Sequence, residues 1–131
     1  MIPTELQESK TFWQYCEAIN VSDYVIHVPN EGKRSITYAM KLKSMGLKKG
    51  AADFIIFIPS KQYHGLLIEM KRINVRKKSI ESKSPAQIEF LKNMMSKGYA
   101  AAFCSGAQMA CYALNDYMHN KDIGLYSFLL T

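Results

Sequence analysis

The 131-residue chain has only three cysteines, Cys16, Cys104 and Cys111, with no CxxC spacing. They are odd in number and lie in apolar segments, which predicts buried thiols in a reducing compartment rather than disulfides or a zinc cage. No apolar run approaches the roughly 18 residues of a spanning helix. The first residues lack a basic stretch followed by an apolar core, so no secretory signal is visible and the expectation is a cytoplasmic protein without a membrane partner. His27, His64 and His119 show no HxH or HExxH spacing, and no GxSxG elbow occurs, which argues against zinc and serine hydrolases. Internal repeats and low-complexity tracts are likewise missing. Acids are scarce: 11 against 17 basic residues leave a net charge of +6 and a pI near 9.2, the footprint of a polyanionic partner, nucleic acid before membrane. A ribosome-associated RNA-binding protein would satisfy the charge equally, but its base-stacking aromatics have no counterpart here, where aromatics sit mainly in core-like runs.

This length predicts one domain, residues 1–131, with a single core. A first helix is expected over 5–19, with Thr4 as N-cap and Gln7 completing a capping box. Phe12, Cys16 and Ile19 form its inward stripe, and stepping back along it reaches Glu8 and then Glu5. Acids there also suit the helix dipole, which is the plainer reading for Glu5. A short strand over 24–28 ends at the turn formers Pro29, Asn30 and Gly32, and Lys33 and Arg34 follow. Next come a helix over 36–45 and a basic loop, Gly46-Leu47-Lys48-Lys49-Gly50, whose glycines permit close approach of a backbone or a phosphate. Further on, Ser84, Pro85 and Gln87 read as N-cap, first helical residue and capping-box partner of a helix striped by Ile88, Leu91 and Met95. A strand over 99–104 and a helix reaching residue 118 complete the order α-β-α-β-β-α-β-α. That order suits an α/β mixed sheet flanked by helices.

The most informative pattern lies in the middle. Residues 52–58 and 65–71 are two strand-like runs that read as one hairpin, and Asp53 and Glu69 are equally distant from Lys61 between them. A turn centred on Lys61 sets the two carboxylates opposite each other, about 4.5 to 5.5 Å apart at Cβ, and the strand alternation adds Lys71 to the same face. Two facing acids repel unless a cation or proton lies between them, so a hard divalent ion, Mg2+ or Mn2+, is the natural occupant. A lysine beside such an ion suits attack on a phosphodiester. In the competing reading both acids are solvated strand ends, and a one-residue slip would turn one of them to the other face. After Lys71 the chain turns basic, with Arg72, Arg76, Lys77, Lys78 and Lys83 around the lone acid Glu81, a loop placed to hold a phosphate backbone.

Gly50-Ala51-Ala52-Asp53, Glu69-Met70-Lys71 and Gln87, in these strands and this helix, resemble the active-site set of the PD-(D/E)xK nucleases. The string His27-Val28-Pro29-Asn30-Glu31-Gly32-Lys33-Arg34, the glycine-flanked basic loop and the helix-strand-helix tail are similar to the VRR-NUC family within it. Ala52 stands where that superfamily's name has proline, a residue that shapes backbone and coordinates nothing. The resemblance implies a restriction-endonuclease-like core and a Mg2+- or Mn2+-dependent endonuclease for branched DNA such as four-way junctions or flaps, at work in a bacterial cell or phage-infected host. It makes Asp53, Glu69 and the Met70 carbonyl metal ligands, Lys71 the catalytic lysine, and Gln87 the group orienting the lysine or a water. It also asks for a glutamate from the first helix, Glu8 ahead of Glu5. Lys33, Arg34, Lys48, Lys49, Arg72, Arg76, Lys77 and Lys78 are the expected DNA contacts. A homodimer is implied as well, with Tyr126, Phe128, Leu129 and Leu130 either in its interface or in a last edge strand. The alternative on the same fold is a catalytically silent nucleic-acid-binding module.

Overall fold

Thr4 starts the first helix. In the computed structural model, which describes residues 2–29, 35–48, 50–73 and 85–127, the Thr4 hydroxyl accepts the Gln7 amide at 3.1 Å and the Gln7 side chain accepts the Thr4 amide at 2.8 Å. Both donors would otherwise be orphaned at the helix start, and such a cap is worth about 1 kcal/mol. Helix α1 (Glu5–Ala18) buries Glu8, Phe12 and Cys16, as its stripe predicts, and Ser9 beside them. One 3-10 turn (Ser22–Tyr24) leads into β1 (Val25–His27), followed by α2 (Ile36–Ser44), β2 (Phe54–Ile56), β3 (Leu66–Lys71), α3 (Pro85–Met95), β4 (Ala100–Ser105), α4 (Ala107–Met118) and a single helical turn, α5 (Gly124–Ser127). This is the expected alternation, with one short helix added at the end.

The four strands lie in the order β1-β2-β3-β4. β2 is antiparallel to both β1 and β3, whereas β3 and β4 run parallel, joined through α3. Strand alternation splits the side chains between two layers. Val25, Phe54, Ile56, Leu66, Ile68, Met70, Ala102 and Cys104 pack with Phe12 and Cys16 of α1 and with Ala110, Leu114 and Tyr117 of α4. On the other face, Leu67, Ala101 and Phe103 pack with Leu91 of α3. Cys16 and Cys104 are free and buried, as the sequence predicts, whereas Cys111 is free but only half-buried. Burial pushes the Cys16 thiol up to about 12, so these sulfurs behave as small apolar groups.

Two expectations need correction. β1 and β2 span three residues each, shorter than the apolar runs that carry them. Gly124–Ser127 form a helical turn and not part of an edge strand: Tyr126 is buried, packs on the core, and its hydroxyl donates to Asp116 Oδ2 at 2.8 Å. Tyr126 is therefore unavailable for an interface, and Phe128, Leu129 and Leu130 lie outside the described residues.

Candidate active site

The β2–β3 ladder pairs Phe54 with Ile68, Ile55 with Leu67 and Ile56 with Leu66. Continued by one residue, this register sets Asp53 opposite Glu69, so the turn is centred on Lys61. Asp53 and Glu69 alternate with Ile55 and Leu67 and therefore belong to the face that α3 covers. Asp53 Oδ2 accepts the Met70 backbone amide at 2.7 Å, which fixes the carboxylate across the two strands. Glu69 is buried, with 3% of its surface exposed. Its Oε1 accepts a hydrogen bond from Gln87 Nε2 at 2.7 Å, reaching in from the first turn of α3. Gln87 thus turns its side chain to the site.

The other oxygen, Glu69 Oε2, is buried and has no hydrogen-bond partner among the described residues. A buried carboxylate oxygen left open is costly unless a cation or proton meets it. Burial first and the neighbouring Asp53 second raise the Glu69 carboxyl to about 8. Lys71 pulls it down, Glu5 pushes it up, and the Asp53 backbone amide lowers it. Two stacked carboxylates, one of them with a vacant lone-pair direction, form a hard oxygen set that fits a divalent ion. Among the described residues no group of three or more His, Cys, Asp or Glu side chains could hold a metal. The carboxylates brought together here are therefore two, Asp53 and Glu69, and Met70 follows Glu69 in β3, buried.

Glycines let these elements meet. A Cβ on Gly50, whose φ is +85°, would stand 2.6 Å from the Ala86 carbonyl carbon and 2.8 Å from the Gln87 nitrogen. Gly50 thus admits backbone, bringing the first turn of α3 against the approach to Asp53.

The helix acids divide differently from the sequence expectation. Glu8 is buried, and its Oε2 accepts the backbone amide of Ala107 at the start of α4. The N-cap there is Gly106, which has no side chain to cap with, so Glu8 of α1 caps α4 from outside and complements its dipole. Glu5, one turn earlier, is the helix acid that Glu69 senses. Sequence reasoning ranked Glu8 first, because nothing local reveals that a distant helix start claims it.

Among the expected DNA contacts, Lys48 is exposed beside a groove of about 440 Å³ that it shares with Lys43 and Phe90. Arg72 is engaged with the chain itself: Nε and a terminal nitrogen each donate at 3.2 Å, to the carbonyls of Pro3 and Ile2, tying the segment before α1 to the end of β3. Lys33, Arg34, Lys49, Arg76, Lys77 and Lys78 lie outside the described residues, as does Ser84. Gly106 and Met70's amide were missed as site-building groups. Only Gly106 had a visible signal, a glycine between a strand and a helix.

The VRR-NUC domain model matches residues 2–108, which include every residue of this constellation. The chain belongs to the VRR-NUC family. A solved VRR_NUC domain protein is similar to it at 26% identity with a TM-score of 0.77, covering 93% of this chain and 93% of its own. No curated protein matches. Membership carries a nuclease-type function, with DNA as the implied substrate, and the mixed four-stranded sheet flanked by helices is the fold of that relative.

Proposed function

We propose that this VRR-NUC protein is a Mg2+- or Mn2+-dependent DNA endonuclease selective for branched DNA, serving phage or bacterial replication and repair. One observation carries the reading: Asp53 and Glu69 face each other across β2 and β3, with Glu69 Oε2 buried and open. Asp53, Glu69 and the Met70 carbonyl would hold the ion, which supplies charge stabilisation at the phosphoryl oxygen and acidifies the attacking water. The Met70 amide keeps Asp53 aimed, and Gln87 keeps Glu69 from rotating. Lys71 places a compact positive charge beside the pair, offsetting the negative charge that grows on the phosphorus oxygens as water adds and the ester bond breaks. Glu5 of α1 adds a negative charge that Glu69 feels, without joining the pair as a third ligand. Lys48 and the basic segment after Lys71 would follow the phosphate backbone. A two-fold dimer would match a symmetric four-way junction.

The deciding experiment offers labelled four-way junction, flap, single-stranded and linear duplex DNA with Mg2+, Mn2+ or EDTA to wild type and Lys71→Ala. Metal-dependent cutting of branched substrates, lost in the variant, is the expected result. Binding without cutting under both metals would instead make the chain a silent DNA-binding module.

A further inference from the structure

Arg72 is the first residue beyond β3, and strand alternation sets the side from which it acts. Glu69 and Lys71 alternate with Met70, which packs in the layer of α1, so Arg72 continues the α1 face and Lys71 the face of the acid pair. There the guanidinium makes a two-point clasp: Nε donates to the Pro3 carbonyl and a terminal nitrogen to the Ile2 carbonyl, both at 3.2 Å. Both acceptors belong to the lead-in to Thr4, the cap of α1. The clasp therefore joins the end of β3 to a helix that is capped and packed on the core. Arg72 is exposed, so it holds through these bonds and not through burial.

The end of β3 needs such a hold. Lys71 is the last residue of its strand and pairs with Ser105, the last of β4. Its carbonyl accepts the Gly106 amide at 2.8 Å. On the other side, the β2–β3 ladder ends at the Phe54–Ile68 pair, three residues before Lys71. Ile73 adds an apolar contact: a Cβ on Gly106 would stand 2.7 Å from its Cδ1, so the glycine leaves room for that side chain. Strand ends with few main-chain bonds open locally at low cost, and the Arg72 clasp opposes this at Lys71.

We infer that Arg72 is a positioning residue for Lys71, holding the strand end from the face opposite the acid pair, and that it is not a phosphate contact. The inference rests on the nuclease reading and deepens it by assigning what keeps Lys71 beside Asp53 and Glu69. Two observations favour it over a phosphate role. The guanidinium lies on the α1 side of the strand, away from the acids. Nε and a terminal nitrogen, one of the paired edges with which arginine grips a phosphate, are already spent on carbonyls. Lysine is no substitute in this role, because a single ammonium does not reproduce a planar fork of two donors.

Arg72→Ala and Arg72→Lys, each in the full chain, test the assignment beside wild type. At saturating metal, maximal turnover on the substrate that wild type cuts best should fall about 10- to 100-fold in Arg72→Ala, with KM unchanged. Arg72→Lys, which keeps the charge and loses the fork, should fall nearly as far. In EDTA both variants should bind duplex DNA with wild-type affinity and salt slope, whereas a lost phosphate contact would lower that slope by about 0.9. Amide exchange in the metal-free protein needs no cleavage: the Gly106 amide should exchange roughly ten-fold faster in Arg72→Ala, with amides in the middle of β3 unchanged. Weaker binding with a flatter salt slope, restored in Arg72→Lys, would make Arg72 a phosphate contact and overturn the proposal. Unchanged Gly106 exchange, faster exchange with turnover intact, or protection lost evenly along β3 would overturn it too. A wild type that cuts nothing under either metal would remove the nuclease reading, while faster exchange confined to Gly106 would still support the hold on Lys71.

Discussion

Gln87 Nε2 donates to Glu69 Oε1 at 2.7 Å, and this bond decides which oxygen of Glu69 stays open. The amide occupies one carboxylate oxygen and stops the group from rotating, so the vacant oxygen keeps a fixed direction. Groups behind a metal ligand typically contribute 10- to 100-fold in affinity or activity. Gln87→Ala is accordingly expected to lose about that much cleavage. Titrating the metal in the cleavage assay would separate weaker binding from a lower maximal rate, and activity equal to wild type would remove Gln87 from the site.

Asp53, Glu69 and Lys71 should each be indispensable to cutting, but their alanine variants should differ in stability. Asp53→Ala strips the acceptor from the Met70 amide, at a cost of about 1–3 kcal/mol, whereas Asp53→Asn keeps an acceptor and loses only the charge. Cleavage should vanish in both, with thermal unfolding lowered clearly in the alanine variant. An Asp53→Asn protein that cuts normally would sink the assignment.

Glu8 and Glu5 are separable in the same way. Glu8→Ala removes the acceptor that caps α4 and should cost about 2 kcal/mol, seen as a melting temperature lower by roughly 6–10 °C. Glu5→Ala should leave stability within about 1 kcal/mol and shift the metal concentration needed for half-maximal cleavage upward. Calorimetry beside a metal titration distinguishes them, and the reverse pattern would restore Glu8 as the helix-borne ligand.

The raised Glu69 carboxyl makes metal-free stability depend on pH. Its folded pKa, about 8, lies above the ordinary value of 4.5, so the folded state holds the proton more tightly. Its contribution is complete below pH 4.5 and fades as pH climbs through 8. Metal-free wild type should lose more stability than Glu69→Gln between these limits, and added divalent ion should stabilise wild type more at the alkaline end, where no proton needs displacing. Denaturant melts across pH would test this; parallel wild-type and variant curves would contradict it.

Gly50→Ala should act at a distance from any charged group. The new methyl would meet the Ala86 and Gln87 backbone at 2.6–2.8 Å, on a φ of +85° that disfavours side chains. The first turn of α3 must then move away from Asp53, taking Gln87 from Glu69. A displacement near 1 Å in such a site can cost about 100-fold in rate. Retained Gln87–Glu69 geometry in a crystal structure of the variant would refute this.

The hairpin register was legible because a symmetric turn and the two-residue alternation leave few ways to pair the runs. The Thr4–Gln7 cap was legible for a similar reason, its partners being three residues apart. The choice between Glu8 and Glu5 was not, since both extend one stripe and the group that claims Glu8 is an amide 99 positions away. The tether of Arg72 was not legible either, because its partners are main-chain carbonyls, which carry no sequence signal. Gln87 had two local meanings, and only the fold puts Glu69 within its reach.

β3 is clasped on both sides, antiparallel to β2 and parallel to β4, and its residues from Leu66 to Met70 are all buried. Glu69 and Lys71 are thus mounted on the strand whose amides should exchange with solvent last, through global opening alone. Partial unfolding elsewhere leaves the two charges in place, so heat should extinguish cleavage and β3 amide protection together, in one cooperative step.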